Sequence, residues 1–163
     1  MNKRPVIAVI GSGGENEPAV SNARDLGRSI AECGWVLITG GRDAGVMRAA
    51  NGAARNAGGL TIGILPNRNA KVSPDVDVEI VTDTGHARNN IIVLSADVVV
   101  ACGVDGAGTA SETALAIKNG KPVVLLGAGD DAVTFFSRIG GGRIHLASSA
   151  ADVITFIKQI LGL

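Results

Sequence analysis

The chain has 163 residues, the size of one ordinary domain, and fifteen basic side chains balance fifteen acidic ones. Zero net charge argues against binding nucleic acid by bulk electrostatics, which needs a basic stripe. Trp35, Phe135, Phe136 and Phe156 are the only aromatic residues, so platforms for stacking single-stranded bases are lacking too.

Read in chain order, short β-branched runs alternate with Ala-rich segments. Met1-Asn2-Lys3-Arg4-Pro5 leads straight into an apolar run, without the long apolar region or cleavage site of a signal peptide. No stretch approaches the ~20 apolar residues that span a bilayer, so a cytoplasmic protein with no membrane partner is expected. A strand is predicted at Val6–Ile10, a helix at Pro18–Cys33, a strand at Trp35–Thr39 and a helix at Asp43–Ala57. Leu60–Leu65 and Val78–Val81 read as strands, separated by a polar segment, 66–77, expected to be a mobile surface loop at the rim of a pocket. A helix at His86–Ser95 precedes a strand at Asp97–Ala101, and a helix at Thr109–Asn119 precedes one at Pro122–Leu126. Asp130–Arg138 reads as a helix, Ile144–Leu146 as a short edge strand and Ala150–Leu161 as the last helix. Continuous apolar strands alternating with helices predict one α/β domain over residues 1–163, a doubly wound, mostly parallel sheet with helices on both faces. Cys33 and Cys102 form no CxxC pair, which fits a reducing compartment.

In such a sheet, ligands bind outside the carboxyl ends of the strands. Three of those ends are rich in glycine: Gly11-Ser12-Gly13-Gly14, Gly40-Gly41-Arg42-Asp43-Ala44-Gly45 and Gly103-Val104-Asp105-Gly106-Ala107-Gly108-Thr109. The third runs into a good helix former, whose first amides and dipole suit a single phosphate, with the Thr109 hydroxyl as a further donor. The first loop is not G-x-G-x-x-G, the second strand ends without an acidic ribose ligand, and there is no G-K-[ST]. Neither dinucleotide binding nor triphosphate hydrolysis is supported. Arg88 and Glu112 can serve as a catalytic pair at a sugar or equally as a structural ion pair. His86 and His145 lack partners at ligand spacing, and Cys102 reads as a small core residue, so no metal site is expected.

Gly40-Gly41-Arg42-Asp43-Ala44-Gly45-Val46-Met47 and Gly106-Ala107-Gly108-Thr109-Ala110-Ser111-Glu112 resemble the paired signatures of the lysine decarboxylase-like and Lonely Guy phosphoribohydrolase superfamily. In those enzymes the motif is P-G-G-x-G-T-x-x-E with a preceding arginine, and Arg88 and Glu112 match the catalytic pair. Here Val104-Asp105 replaces the opening Pro-Gly, and Asn89 stands where a Lys usually follows the arginine. The stretches Val6–Gly11, Gly34-Trp35, Thr39–Arg42, Ala87–Ile91 and Lys121–Gly127 resemble the molybdenum cofactor carrier proteins of algae and cyanobacteria. That resemblance implies a Rossmann-like fold, homo-oligomers (dimers or tetramers) and molybdenum cofactor as reversibly bound cargo. It further implies delivery to apo-molybdoenzymes or exchange with cofactor-biosynthesis proteins, without turnover; cleavage of a nucleoside 5′-monophosphate is the alternative. The residues expected to hold the cargo are Gly11, Ser12, Gly13, Gly40, Gly41, Arg42 and Asp43 on the first two loops. Gly103, Gly106, Ala107, Gly108 and Thr109 on the third are expected to join them, with Arg88, Asn89, Asn90 and Glu112.

Overall fold

The computed structural model describes residues 3–163. The N-terminal reading above rests in part on Met1 and Asn2, which lie outside the described residues. In chain order the elements are β1 (Val6–Gly11), α1 (Glu17–Glu32), β2 (Val36–Thr39), α2 (Gly45–Asn56), β3 (Leu60–Leu65) and β4 (Val78–Val81). They continue with α3 (Arg88–Ser95), β5 (Val98–Cys102), α4 (Ala107–Lys118), β6 (Val123–Leu126), α5 (Asp130–Gly140), β7 (Ile144–Ala147) and α6 (Ala150–Leu161). The seven strands form one sheet in the order β4-β3-β2-β1-β5-β6-β7, and every pairing is parallel. This is the expected Rossmann-like α/β fold, and the sheet is fully parallel.

The central strands are apolar on both faces because both faces are covered. In β1, Ile7 and Val9 point into one core while Ala8 and Ile10 point into the other, the two-residue period of a strand dividing its side chains. The first core is roofed by α1, α2 and α6, the second by α3, α4 and α5. Ala19, Ala23, Leu26 and Ile30 recur at helical spacing on α1 and are all buried. Helix α6 starts at a capping box between Ser149 and Asp152 and stops at Gly162, whose φ of 66° suits a residue without Cβ. No helix is long and apolar enough to cross a membrane among the described residues.

Four segments differ from the sequence expectation. The second helix begins at Gly45, not Asp43, because the residues before it are occupied elsewhere. Arg42 bridges Val72, and the Asp43 amide donates to the Lys71 carbonyl at 2.9 Å. The same contacts stitch down the 66–77 segment, with the Ser73 amide donating to the Gly41 carbonyl at 2.9 Å. It borders a pocket as expected, yet it is held at several points instead of lying loose on the surface; Ser73 and Val76 are buried. The predicted helix from His86 is a 3₁₀ turn, Gly85–Ala87, followed by α3. Conversely, α4 begins two residues early, so Ala107 and Gly108 belong to its first turn.

Helices α1 and α2 cross so closely that a methyl on Gly27 would collide with the carbonyl of Ala50. Helix propensity alone makes Gly27→Ala stabilising by about 1 kcal/mol. We expect packing to reverse the sign, with a loss of roughly 1–3 kcal/mol in denaturant unfolding. A gain in stability would mean that the two helices separate freely.

Candidate functional site

Strand order reverses between β1 and β5, so the loops that follow them diverge and open a crevice. The β1–α1 loop is pinned to the start of α2. The Ser12 carbonyl accepts from the Val46 amide at 3.0 Å, and the Ser12 hydroxyl accepts from the Gly14 amide at 3.0 Å. Glycine is needed at position 11 because a Cβ there would press into the Val46 side chain, at 2.7 Å.

On the second loop, the buried Thr39 hydroxyl accepts from the Gly41 amide at 3.0 Å and donates to Asn51 Oδ1 at 3.1 Å. Gly41 lies at φ 70° against the backbone of Gly63, so it is a turn residue that packs inward. Gly40 faces the crevice, walled by Met47 and by the guanidinium of Arg88.

The third loop ends in an exposed helix terminus. Gly106 caps α4 with extended backbone, and no side chain caps the helix. Its carbonyl accepts from the Ala110 amide at 3.0 Å, so the amides of Ala107, Gly108 and Thr109 have no partner within the helix. Glycine at 106 and 108 is required by no packing: a Cβ at either place would meet nothing within 4 Å. A glycine inside a helical turn costs about 1 kcal/mol relative to alanine. No packing contact offsets it at Gly108, and the missing side chain leaves the helix terminus open.

Arg88 reaches the crevice from the start of α3 and is only 8% exposed. Its Nη1 donates to the carbonyls of Gly40 and Ile64, whereas its buried Nε has no acceptor in the protein. Burial lowers its pKa; Glu112 opposes that shift and Arg42 adds to it. Glu112 lies on the first turns of α4 and is 9% exposed. Burial pushes its carboxyl up to about 7, with Arg88 offsetting part of the effect. None of the ion pairs among the described residues joins Arg88 to Glu112. The pair therefore interacts across the crevice without a salt bridge, and a carboxyl that titrates near neutrality is available for proton chemistry or for charge switching.

These groups enclose an inner chamber of about 220 Å³. Of the residues singled out from sequence, Gly11, Ser12, Gly13, Gly40 and Arg42 on the first two loops line it. Arg88, Asn89, Gly106, Gly108, Thr109 and Glu112 complete the lining. Gly41 and Gly103 shape their turns. Asp43 opens onto a neighbouring outer chamber, bound to Lys71 at 3.0 Å, and Ala107 onto a shallow surface depression. Asn90 accepts from Asn119 Nδ2 at 3.1 Å instead of facing the chamber.

Sequence reasoning missed Met47 and gave His86 no role in binding; both line the inner chamber. The only available signals were their nearness to Gly40-Gly41 and Arg88. His145 stacks on Phe156 at 5.3 Å, outside the crevice. Cys102 is buried at the end of β5, its thiol pushed up to about 12 by burial, as befits a core residue. A larger groove, about 750 Å³, runs along α1 and α2, but its arginines and carboxylates are of mixed sign and none of the three glycine-rich loops lines it. The crevice at the strand reversal is the better candidate.

Several solved structures resemble the whole chain, among them two of molybdenum cofactor proteins. The molybdenum cofactor binding protein of Rippkaea orientalis is 50% identical with a TM-score of 0.92, over 98% of each chain. The molybdenum cofactor carrier protein of Chlamydomonas reinhardtii is 45% identical with a TM-score of 0.94, over 99% of this chain and 100% of that one. A more distant relative is a cytokinin riboside 5′-monophosphate phosphoribohydrolase of Mycobacterium tuberculosis, 34% identical over 113 residues, which are 64% of this chain and 60% of the enzyme. Residues 4–154 match the model of the SLOG cluster4 family, and the chain belongs to that family.

Proposed function

We propose that residues 1–163 form one binding domain that carries molybdenum cofactor as releasable cargo and does not turn it over. The observation that carries this reading is the uncapped N-terminus of α4, whose glycines leave the amides of Ala107, Gly108 and Thr109 open at the crevice. Three anionic oxygens of a terminal phosphate suit that set of donors and the positive end of the helix dipole. Gly11, Ser12, Gly13, Gly40, Arg42, Asn89 and Arg88 supply the remaining wall, with backbone amides and planar donors for a pterin edge. The near full-length likeness to two proteins named for this cofactor supports the same cargo. Among the described residues no thiol lines the crevice, Cys102 being buried in the sheet, and retention by hydrogen bonds suits a carrier that must let go.

Assembly as a homo-oligomer and transfer to apo-molybdoenzymes belong to the same proposal. Exposed Val78, Ile80 and Val81 on the edge strand β4, with Ile91 and Leu94 on α3, offer apolar surface for such contacts.

Hydrolysis of a nucleoside 5′-monophosphate is the second reading, favoured by one specific observation. Arg88 and Glu112 face one chamber, and Glu112 titrates near neutrality, as an acid or base at a ribose would. Against it stand Val104-Asp105 and Asn89, which depart from the enzymes' motif.

A paired assay separates the two. Protein incubated with AMP should release no adenine, and oxidation of the purified protein should yield fluorescent pterin at near stoichiometry. Adenine release that Glu112→Ala abolishes would overturn the carrier as the sole function. Gly108→Asp places a carboxylate at the open amides and should weaken cargo retention by about tenfold or more with the fold intact. Unchanged retention would move the phosphate to another loop.

Release should also depend on pH. As pH rises through about 7, Glu112 ionises and adds a negative charge beside an anionic ligand. The dissociation rate should increase roughly five- to tenfold between about pH 6.5 and 8.5, where the phosphate ester is already mostly ionised. Glu112→Gln should flatten that profile; an unchanged slope in this variant would assign the dependence to another group.

A further inference from the structure

The inner chamber, at about 220 Å³, is smaller than the ~300–1,000 Å³ typical of sites that enclose a cofactor-sized ligand. It does not end blindly. Arg42, His86 and Arg88 line both it and an outer chamber of about 490 Å³, whose far wall is the 66–77 segment with Asn67 and Lys71. That wall is preformed, tied by the Arg42–Val72 bridge and by the Asp43–Lys71 and Ser73–Gly41 backbone bonds.

The charge of the outer chamber is not that of the chain. Arg42, Lys71 and Arg88 border it against the single carboxylate of Asp43, in a protein of zero net charge. That carboxylate is already held by Lys71 at 3.0 Å. Lys71 is largely exposed and has further ammonium protons to give. Arg88, more than nine-tenths buried, stands between the two chambers with an Nε that has no acceptor. A buried donor without a partner costs about 1–3 kcal/mol, so its retention points to a group supplied from outside the fold.

We propose that the outer chamber is a second anion subsite, so that the crevice takes ligands anionic at both ends. A phosphate ester sits on the α4 amides and a second oxyanion lies against Arg42 and Lys71, with Arg88 between them. The subsite follows from the chamber's own residues. Identifying its occupant as the metal–oxo end of the cargo rests on the carrier reading. A pterin edge, which seeks a free carboxylate, is the poorer match here, because Asp43 is taken by Lys71. The cargo would then enter phosphate first, leaving its metal end nearest the mouth, where an acceptor can collect it.

Two small probes test this on the full chain. Ribose 5-phosphate reports the α4 end and molybdate the outer end, each titrated calorimetrically alone and then in the presence of the other. Both should bind at once. The ratio of molybdate affinity to ribose 5-phosphate affinity should fall roughly three- to tenfold in Lys71→Gln and in Arg42→Gln, and rise in Gly108→Asp. Mutual exclusion of the probes, no detectable molybdate binding, or a ratio indifferent to Lys71 and Arg42 would each overturn the second subsite. If purified protein yields no pterin but both probes still bind together, the subsite stands and the carrier reading falls.

Discussion

Both chambers depend on the burial of one guanidinium. Arg88 sits at the start of α3 and donates from Nη1 to the carbonyls of Gly40, just after β2, and Ile64, next to the end of β3. Those two strands lie on one side of the strand reversal, and α4 with Glu112 lies on the other. The arginine therefore spans from the sheet edge into the crevice, and the surroundings are shaped to admit it. Position 40 has no room for a Cβ, because the guanidinium and the Met47 sulfur occupy that space. The turn that presents the Gly40 carbonyl is fixed from behind, through Gly41 to Thr39 and on to Asn51, both side chains fully buried. Burying a charge is costly unless it is hydrogen-bonded. Here the bonds are main-chain ones at strand ends, which cannot drift without disturbing the sheet.

That arrangement sets the electrostatics of the neighbouring carboxyl. Glu112 is buried against the same crevice, and desolvation outweighs the nearby arginine, so its proton is held to about neutrality. A fully formed salt bridge would have kept Glu112 ionised and exhausted both partners. Without one, the fold retains a cation with spare donors and a carboxyl poised between two charge states, both lining one small chamber. Holding and releasing an anion and cleaving a glycosidic bond both call for such a pair. Proteins named for a cargo and for a hydrolysis both resemble this chain.

The glycines divide into two physical kinds. Gly11, Gly27, Gly40 and Gly41 are small because protein atoms lie where a side chain would go. Gly106 and Gly108 are small although nothing in the protein occupies the space. The first kind packs the crevice loops and the α1–α2 crossing, and the second keeps one helix terminus open to the crevice. Only coordinates distinguish them, since the motif reads the same in either case.

Much of the architecture was legible from local pattern alone. The extended apolar runs of Val6–Ile10 and Leu60–Leu65 and the helical spacing in α1 are properties of nearest neighbours in the chain. Three glycine-rich loops at carboxyl strand ends placed the crevice, because strand direction in a parallel sheet puts all such loops on one edge. What the sequence could not determine is how residues far apart share space. Whether Arg88 and Glu112 pair, whether Asn90 faces in or out, and whether 66–77 is loose or tied depend on contacts across tens of residues. Lys71 and His86 joined the site for the same reason, brought to it by the strap onto Arg42 and by the 3₁₀ turn before α3. Local pattern sets the direction of each strand and helix, and only packing, with the desolvation it imposes, decides which charges meet and which remain free for a ligand.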